Sequence, residues 1–258
     1  MKRVTGLVIV LLGSLGLAGC EPPPECPAIP EWPGEPPLHE PPGFRTLSDQ
    51  SWSMLKGSGW GYLRRTSSKY DDICVDDAAA RSTALRIVFT PDMVPNTEPS
   101  VHWIGLPLVP AVYTAWSVKL SANWTPSPAG GGKITFLWAP GGQGQVYSNV
   151  GGSRAPHRIN INTEWAPYGQ KFWEPNVTTT PINYGQWYRI EWYLQWESIP
   201  GAGDGIMRWW VDGVLSGDYS DVHYPVGRFS QFDFAPTLQN PPPEEQYMYV
   251  GHTYVSIP

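Results

Sequence analysis

Short runs in which apolar and polar residues alternate, cut apart by glycine and proline, constrain this chain more than any other feature. Trp187 to Trp196 is the clearest of them. Side chains two apart in a strand share a face, so Tyr188, Ile190, Trp192, Leu194 and Trp196 form one face and Trp187, Arg189, Glu191, Tyr193 and Gln195 the other. Runs of this kind recur at Leu85 to Thr90, Val112 to Ser121, Lys133 to Trp138, Arg158 to Asn162, Ile206 to Leu215, Arg228 to Phe234 and Gln246 to Ser256. Turn-rich stretches such as Pro126 to Gly132 and Pro140 to Gly144 separate them, and no segment after Phe44 carries a convincing helical period. The pattern predicts an all-β, antiparallel β-sandwich. Asp212-Gly213, between Trp209-Trp210-Val211 and Val214-Leu215, is a two-residue hairpin signal, so Asp212 reads as a turn former. With 27 glycines, 29 prolines, 14 tryptophans and 13 tyrosines among 258 residues, the composition suits tight turns and large rings at a core or a binding surface. The net charge is −6 and the 17 basic residues form no run, which argues against nucleic acid as a partner.

The start of the chain is of a different kind. Met1-Lys2-Arg3 is positive, and the apolar run Leu7 to Leu17 is too short to span a bilayer, as in a secretory signal. Leu17-Ala18-Gly19-Cys20 resembles the bacterial lipobox. That resemblance implies cleavage before Cys20, lipidation of Cys20, and a protein anchored to the membrane rather than spanning it. Glu21 stands where aspartate signals inner-membrane retention, which implies the bacterial cell envelope, at the outer membrane in a Gram-negative host. Glu21 to Pro42 holds ten of the prolines, interleaved with glutamates, and reads as a stiff solvated spacer. The expected division is a signal over 1–19, a lipidated cysteine and stalk over 20–43, and one sandwich domain over 44–258. Cys26 and Cys74 are then left for a disulfide, which would clip stalk to domain and contribute about 4 kcal/mol through loop entropy.

The polar strand faces suggest a ligand. Trp187, Arg189, Glu191 and Tyr193 offer rings for the apolar faces of sugars and charges for hydroxyls and carboxylates. Tyr113, Ser117 and Lys119 oppose Val112, Trp116, Val118 and Leu120, while Arg158, Asn160 and Asn162 oppose Ile159 and Ile161. A half-solvated antiparallel sheet shows the same alternation without binding anything. Gly185 to Glu191 followed by Asp204 to Gly213, with Tyr113 to Ser121, Asn123-Trp124 and Tyr254-Val255-Ser256, resembles the concanavalin A-like jelly rolls, in particular the branch of heparin lyase and alginate lyase relatives. The resemblance implies two packed curved sheets with a saccharide on the concave outer surface. Lys119, Arg158, Asn160, Trp187, Arg189, Glu191 and Tyr193 are the expected binding residues, and a polysaccharide the expected partner.

Catalysis is an alternative. In a lyase acting on a uronate polymer, Arg189 or Arg158 would neutralise the carboxylate while Tyr193, His157 or His252 moved protons. The alginate lyase marks are altered here. Arg81 to Arg86 has an extra residue and no glutamate, no Gln-x-His occurs, and Lys171-Phe172 lacks a preceding tyrosine. Glu191 alone supplies no pair of carboxylates for glycoside hydrolysis, and there is no Gly-x-Ser-x-Gly elbow. A third reading is a structural or adhesive envelope protein. No cofactor or metal is expected. Calcium on Asp71-Asp72 and Asp76-Asp77 is the one candidate, and their spacing matches no calcium loop.

Overall fold

The computed structural model describes residues 39–52, 59–64, 71–75, 83–126, 132–152, 156–165, 169–224 and 227–258. Cys20, Cys26 and the Asp76-Asp77 pair lie outside them, as does the side chain of Cys74. Among the described residues the secondary structure is strand, apart from one 3-10 turn at Pro140–Gly142. The first strands are β1 (Arg45–Gln50), β2 (Gly61–Arg64), β3 (Asp71–Val75), β4 (Thr83–Phe89) and β5 (Ser100–Val109). β6 (Ala111–Leu120), β7 (Gly132–Trp138), β8 (Gly144–Gly151), β9 (Arg158–Trp165) and β10 (Gly169–Trp173) follow. β11 (Trp187–Gln195), β12 (Gly205–Val211), β13 (Val214–Val222), β14 (Phe229–Thr237) and β15 (Gln246–Ile257) complete the chain.

Two sheets result. One has the order β13-β12-β11-β6-β15-β4-β3, and the other β10-β9-β8-β7-β14-β5-β2. β15 pairs along its first half with β4 and along its second with β1, which makes the first sheet eight-stranded. Chain neighbours are divided between sheets: β5 and β7 lie in the second while β6, between them in sequence, lies in the first. The inward faces meet in one core that includes Trp116, Ile190, Trp192, Trp209, Phe232 and Phe234. A ring of this size buries about 200 Å², a transfer gain of about 5 kcal/mol. Trp52 donates Nε1–H to Thr253 and Trp60 to Ser48, whereas the indole nitrogens of Trp116, Trp165, Trp192, Trp196 and Trp209 have no acceptor, which offsets part of that gain.

The hairpin between β12 and β13 turns at Asp212 and Gly213, both at positive φ (50° and 75°), as a two-residue primed turn requires. Asp212 has a second task. Its carboxylate accepts the Arg189 amide at 2.7 Å, and its own amide donates to the Arg189 carbonyl at 2.8 Å, so the turn also holds the start of β11. Gly217 on β13 makes room for a core ring, because a Cβ there would meet the Trp209 side chain at 2.1 Å.

Candidate functional site

The sandwich has two outer faces, and they differ in kind. On the outer face of the first sheet, cross-strand register sets Arg189 beside Ser117, Glu191 beside Ala115, and Tyr193 beside Tyr113. This face is closed. Arg189 is 1% exposed and Glu191 0%, because the end of the predicted stalk lies over them. The His39 ring stacks on Trp210 at 4.6 Å and 6°, and its Nδ1 donates to Glu191 Oε2 at 3.0 Å. The same oxygen accepts the His39 amide at 3.1 Å and the Tyr113 hydroxyl at 2.5 Å. Glu40 accepts from Tyr254 at 2.9 Å, and Phe44 sets its edge on Tyr193. His39 and Glu40, inside the stretch read from sequence as spacer, thus pack against the domain.

The polar cluster beneath this strap is tight and incomplete. Burial pushes the Tyr113 phenol well above its ordinary range, and the adjoining Glu191 carboxylate adds to the effect. Burial also lowers Arg189, against the attraction of Glu191. Arg189 Nε is 3.9 Å from Glu191 Oε1, and none of its three nitrogens makes a hydrogen bond. Replacing His39 with alanine removes the stack and one bond to a charged acceptor. We expect a loss of about 2 kcal/mol, read as a lowered urea midpoint.

On the outer face of the second sheet Asp233, Phe136, Tyr147 and Asn162 are buried too, and the accessible rings are Trp103, Trp138 and Phe172. One row crosses it in register: Gly61, Trp103, Asp233, Phe136, Tyr147, Asn162 and Phe172. Trp103 to Phe172 spans five strand spacings, about 24 Å, long enough for several sugar units. The next row runs Gly105, Gln231, Trp138, Gln145, Glu164 and Gln170. Trp103 and Trp138 are half-buried and Phe172 is 57% exposed. Phe136 stacks on Trp138 at 5.6 Å, and Lys133 Nζ sits 4.4 Å from the Tyr147 ring centre. Gly61 matters by close approach: a Cβ there would meet the Trp103 indole at 2.0 Å. Asp233 is buried, with Trp138 Nε1 donating to both its oxygens at 2.9 and 3.0 Å. Burial raises its pKa to about 7 despite hydrogen bonds from Trp138 and Gln231. Four amide atoms on this face are buried without partners: Gln145 Oε1, Asn149 Nδ2, Asn160 Oδ1 and Asn162 Oδ1.

The residues singled out from sequence are thus split. Lys119, Trp187, Arg189, Glu191 and Tyr193 share the first sheet's outer face, while Arg158 and Asn160 lie on the second sheet, across the sandwich. The lyase candidates do not converge either. Arg189 and Tyr193 are four residues apart on one strand, about 13 Å. His157 precedes β9 and bridges to Ile182, with Nδ1 on the Gly152 carbonyl and Nε2 on the Tyr184 hydroxyl. His252 pairs with Asp49. Sequence reading did not single out Trp103, Phe136, Trp138, Tyr147 or Asp233. Lys133 to Trp138 stood out as a strand, yet a bulge between Lys133 and Phe136 breaks the alternation that would have revealed its outward rings.

No protein-family model and no curated protein sequence matches the chain. Solved structures do. The alginate lyase vAL-1 from Chlorella virus superposes with a TM-score of 0.61 at 15% identity, over 83% of this chain and 100% of that one. The endo-β-1,4-glucuronan lyase from the fungus Trichoderma reesei gives 0.60 at 13%, over 83% and 96%.

The fold is a concanavalin A-like jelly roll.

The jelly roll is also that of the cellulose induced protein Cip1, at a TM-score of 0.54 and 13% identity, over 81% of this chain and 96% of that one. Likeness at such identities carries the fold and leaves the chemistry to the residues. On this jelly roll, Asp233 and Glu164 stand three strand spacings apart, about 14 Å, beyond the separation at which two carboxyl groups share a glycosidic bond.

Proposed function

We propose that the domain binds a polysaccharide along the outer face of the second sheet and does so without cleaving it. The observation that carries this is the coincidence, on one face, of the aromatic row from Trp103 to Phe172 with the four unpartnered amide atoms of Gln145, Asn149, Asn160 and Asn162. Rings cover the apolar faces of sugars. A buried amide atom without a partner costs about 1–3 kcal/mol, and a sugar hydroxyl that reaches it recovers much of that. Polysaccharide-active neighbours sharing the fold support the reading. On the first sheet, His39 and Glu40 cover Glu191 and Tyr254.

Affinity electrophoresis of the full chain against a polysaccharide panel tests this. Trp103→Ala combined with Phe172→Ala removes a ring from each end of the row. The pair should lose about 2 kcal/mol of binding, roughly 30-fold, with an unchanged circular dichroism spectrum. Equal affinity in the double variant would take the site off this face. Ultraviolet absorbance should stay flat on incubation with uronate polymers; a rise would make the protein a lyase.

We further propose that lipid on Cys20 tethers the protein in the bacterial envelope, supported by Leu17-Ala18-Gly19-Cys20. Radiolabelled palmitate should enter the wild-type protein and not Cys20→Ser. Because the described chain enters the domain on the first sheet's outer face, such a tether would leave the second sheet's face on the far side.

A further inference from the structure

Resting on the binding reading above, we infer that Asp233 is a positioning residue of the glycan site, which fixes the Trp138 indole as a platform without itself touching the sugar. Trp138 closes β7 where the chain leaves the sheet for the Pro140–Gly142 turn. Its ring is half-buried and is held at two places. One is the stack on Phe136, at 5.6 Å and 13°. The other is the ring edge, where Nε1–H is shared between both oxygens of Asp233 at 2.9 and 3.0 Å. Asp233 reaches that edge from β14, where register sets it between Phe136 and Trp103. Gln231 Nε2 donates to Asp233 Oδ2 at 3.2 Å and braces the carboxyl from its own strand. At 3% exposure the carboxyl lies below the surface that a glycan would cover.

The acid is costly where it stands. A leucine would pack between Phe136 and Trp103 with no carboxyl to desolvate, and burial already lifts the Asp233 pKa to about 7. What the acid provides is direction. Stacking alone lets an indole slide over its neighbour, whereas a hydrogen bond at the edge is directional and stops that. A sugar stacks on the ring face that Phe136 leaves uncovered, so that face has to be presented before the ligand arrives. Ordering a side chain during binding weakens affinity, and Asp233 orders this one in advance.

Two measurements on the full chain test this. The first needs no ligand. With isotope-labelled tryptophan, the Trp138 indole N–H resonance, assigned by its loss in Trp138→Phe, should be protected from exchange with water. Asp233→Leu should speed that exchange about tenfold, and Asp233→Asn, which keeps one acceptor oxygen, should bring it back to within threefold of wild type. Equal exchange in wild type and Asp233→Leu would overturn the inference. The second is calorimetric titration with a soluble β-1,4-glucan, xylan, mannan, β-1,4-glucuronan and alginate. For the polymer bound most tightly, Asp233→Leu should weaken affinity about fivefold and Asp233→Asn less than twofold. In a Trp138→Ala background the same Asp233→Leu change should have no further effect, because a residue that acts through the ring then has nothing to act on. A further fivefold loss there, or unchanged affinity in Asp233→Leu alone, would overturn the inference and leave the binding reading standing. Binding to none of the polymers would overturn both. If Asp233→Leu does not fold, Trp138→Phe keeps a ring over Phe136 and removes the N–H. That variant should bind about threefold more weakly, and affinity equal to wild type would overturn the inference.

Discussion

Replacing Glu191 with alanine should destabilise the domain by about 3–5 kcal/mol, the range for breaking a buried ion pair from one side. Glu191 is 0% exposed, and its Oε2 accepts the His39 amide, the His39 ring and the Tyr113 hydroxyl. The variant loses those bonds and also leaves Arg189, 1% exposed and without a hydrogen bond, with no anion beside it. Arg189→Met combined with Glu191→Leu removes both charges together and should cost much less than Glu191→Ala alone, because a well-packed apolar pair of similar size replaces a buried ion pair at little cost. Urea unfolding of the single and double variants measures the difference. A single variant within 1 kcal/mol of wild type would mean that the cluster is not closed by its strap.

The second large effect is on pH dependence. Burial raises the Asp233 carboxyl to about 7 from an ordinary value of 3.8. The folded protein therefore keeps this proton up to neutral pH, while the unfolded chain releases it near pH 4. Between those values the folded state binds the extra proton, so stability falls as pH rises. The stability that protonation confers is complete below pH 4 and lost as pH climbs through about 7, with a span of up to about 4 kcal/mol for a shift of this size. Asp233→Asn keeps the shape of the protonated acid and an acceptor for Trp138 Nε1. Its stability should exceed that of wild type at pH 8 and approach it at pH 4. Guanidinium unfolding across that range gives the difference curve, and parallel profiles would show that Asp233 ionises freely.

Strand existence was legible wherever alternation was clean. Trp187 to Trp196 was read as one strand and forms β11, Gln246 to Ser256 forms β15, and Asp212-Gly213 makes the turn its residues suggest. Ser100–Val109 escaped notice because Pro107 and outward-facing residues interrupt it; its burial alternates only in part, and Leu108 sits at positive φ. Gly144–Gly151 begins and ends in glycine and carries Ser148 and Asn149 among its buried positions. Tertiary packing makes strands of both.

Alternation along a strand is a local property, so the residues alone settle that this chain is all-β and which side chains of each strand share a face. They carry no record of which sheet a strand joins. Arg158 and Asn160 show the same inward and outward pattern as Arg189 and Glu191, yet the pairing of β9 with β8 and of β11 with β6 puts them on opposite sides of the molecule. The closing of one face was equally invisible. His39 and Glu40 sit in a proline-rich stretch that reads as solvated spacer, and their partners Glu191, Trp210 and Tyr254 lie more than 150 residues away in the chain. Local periodicity makes the strands and their faces; long-range pairing, with the side chains that happen to meet across it, decides which residues each outer face of the sandwich brings together.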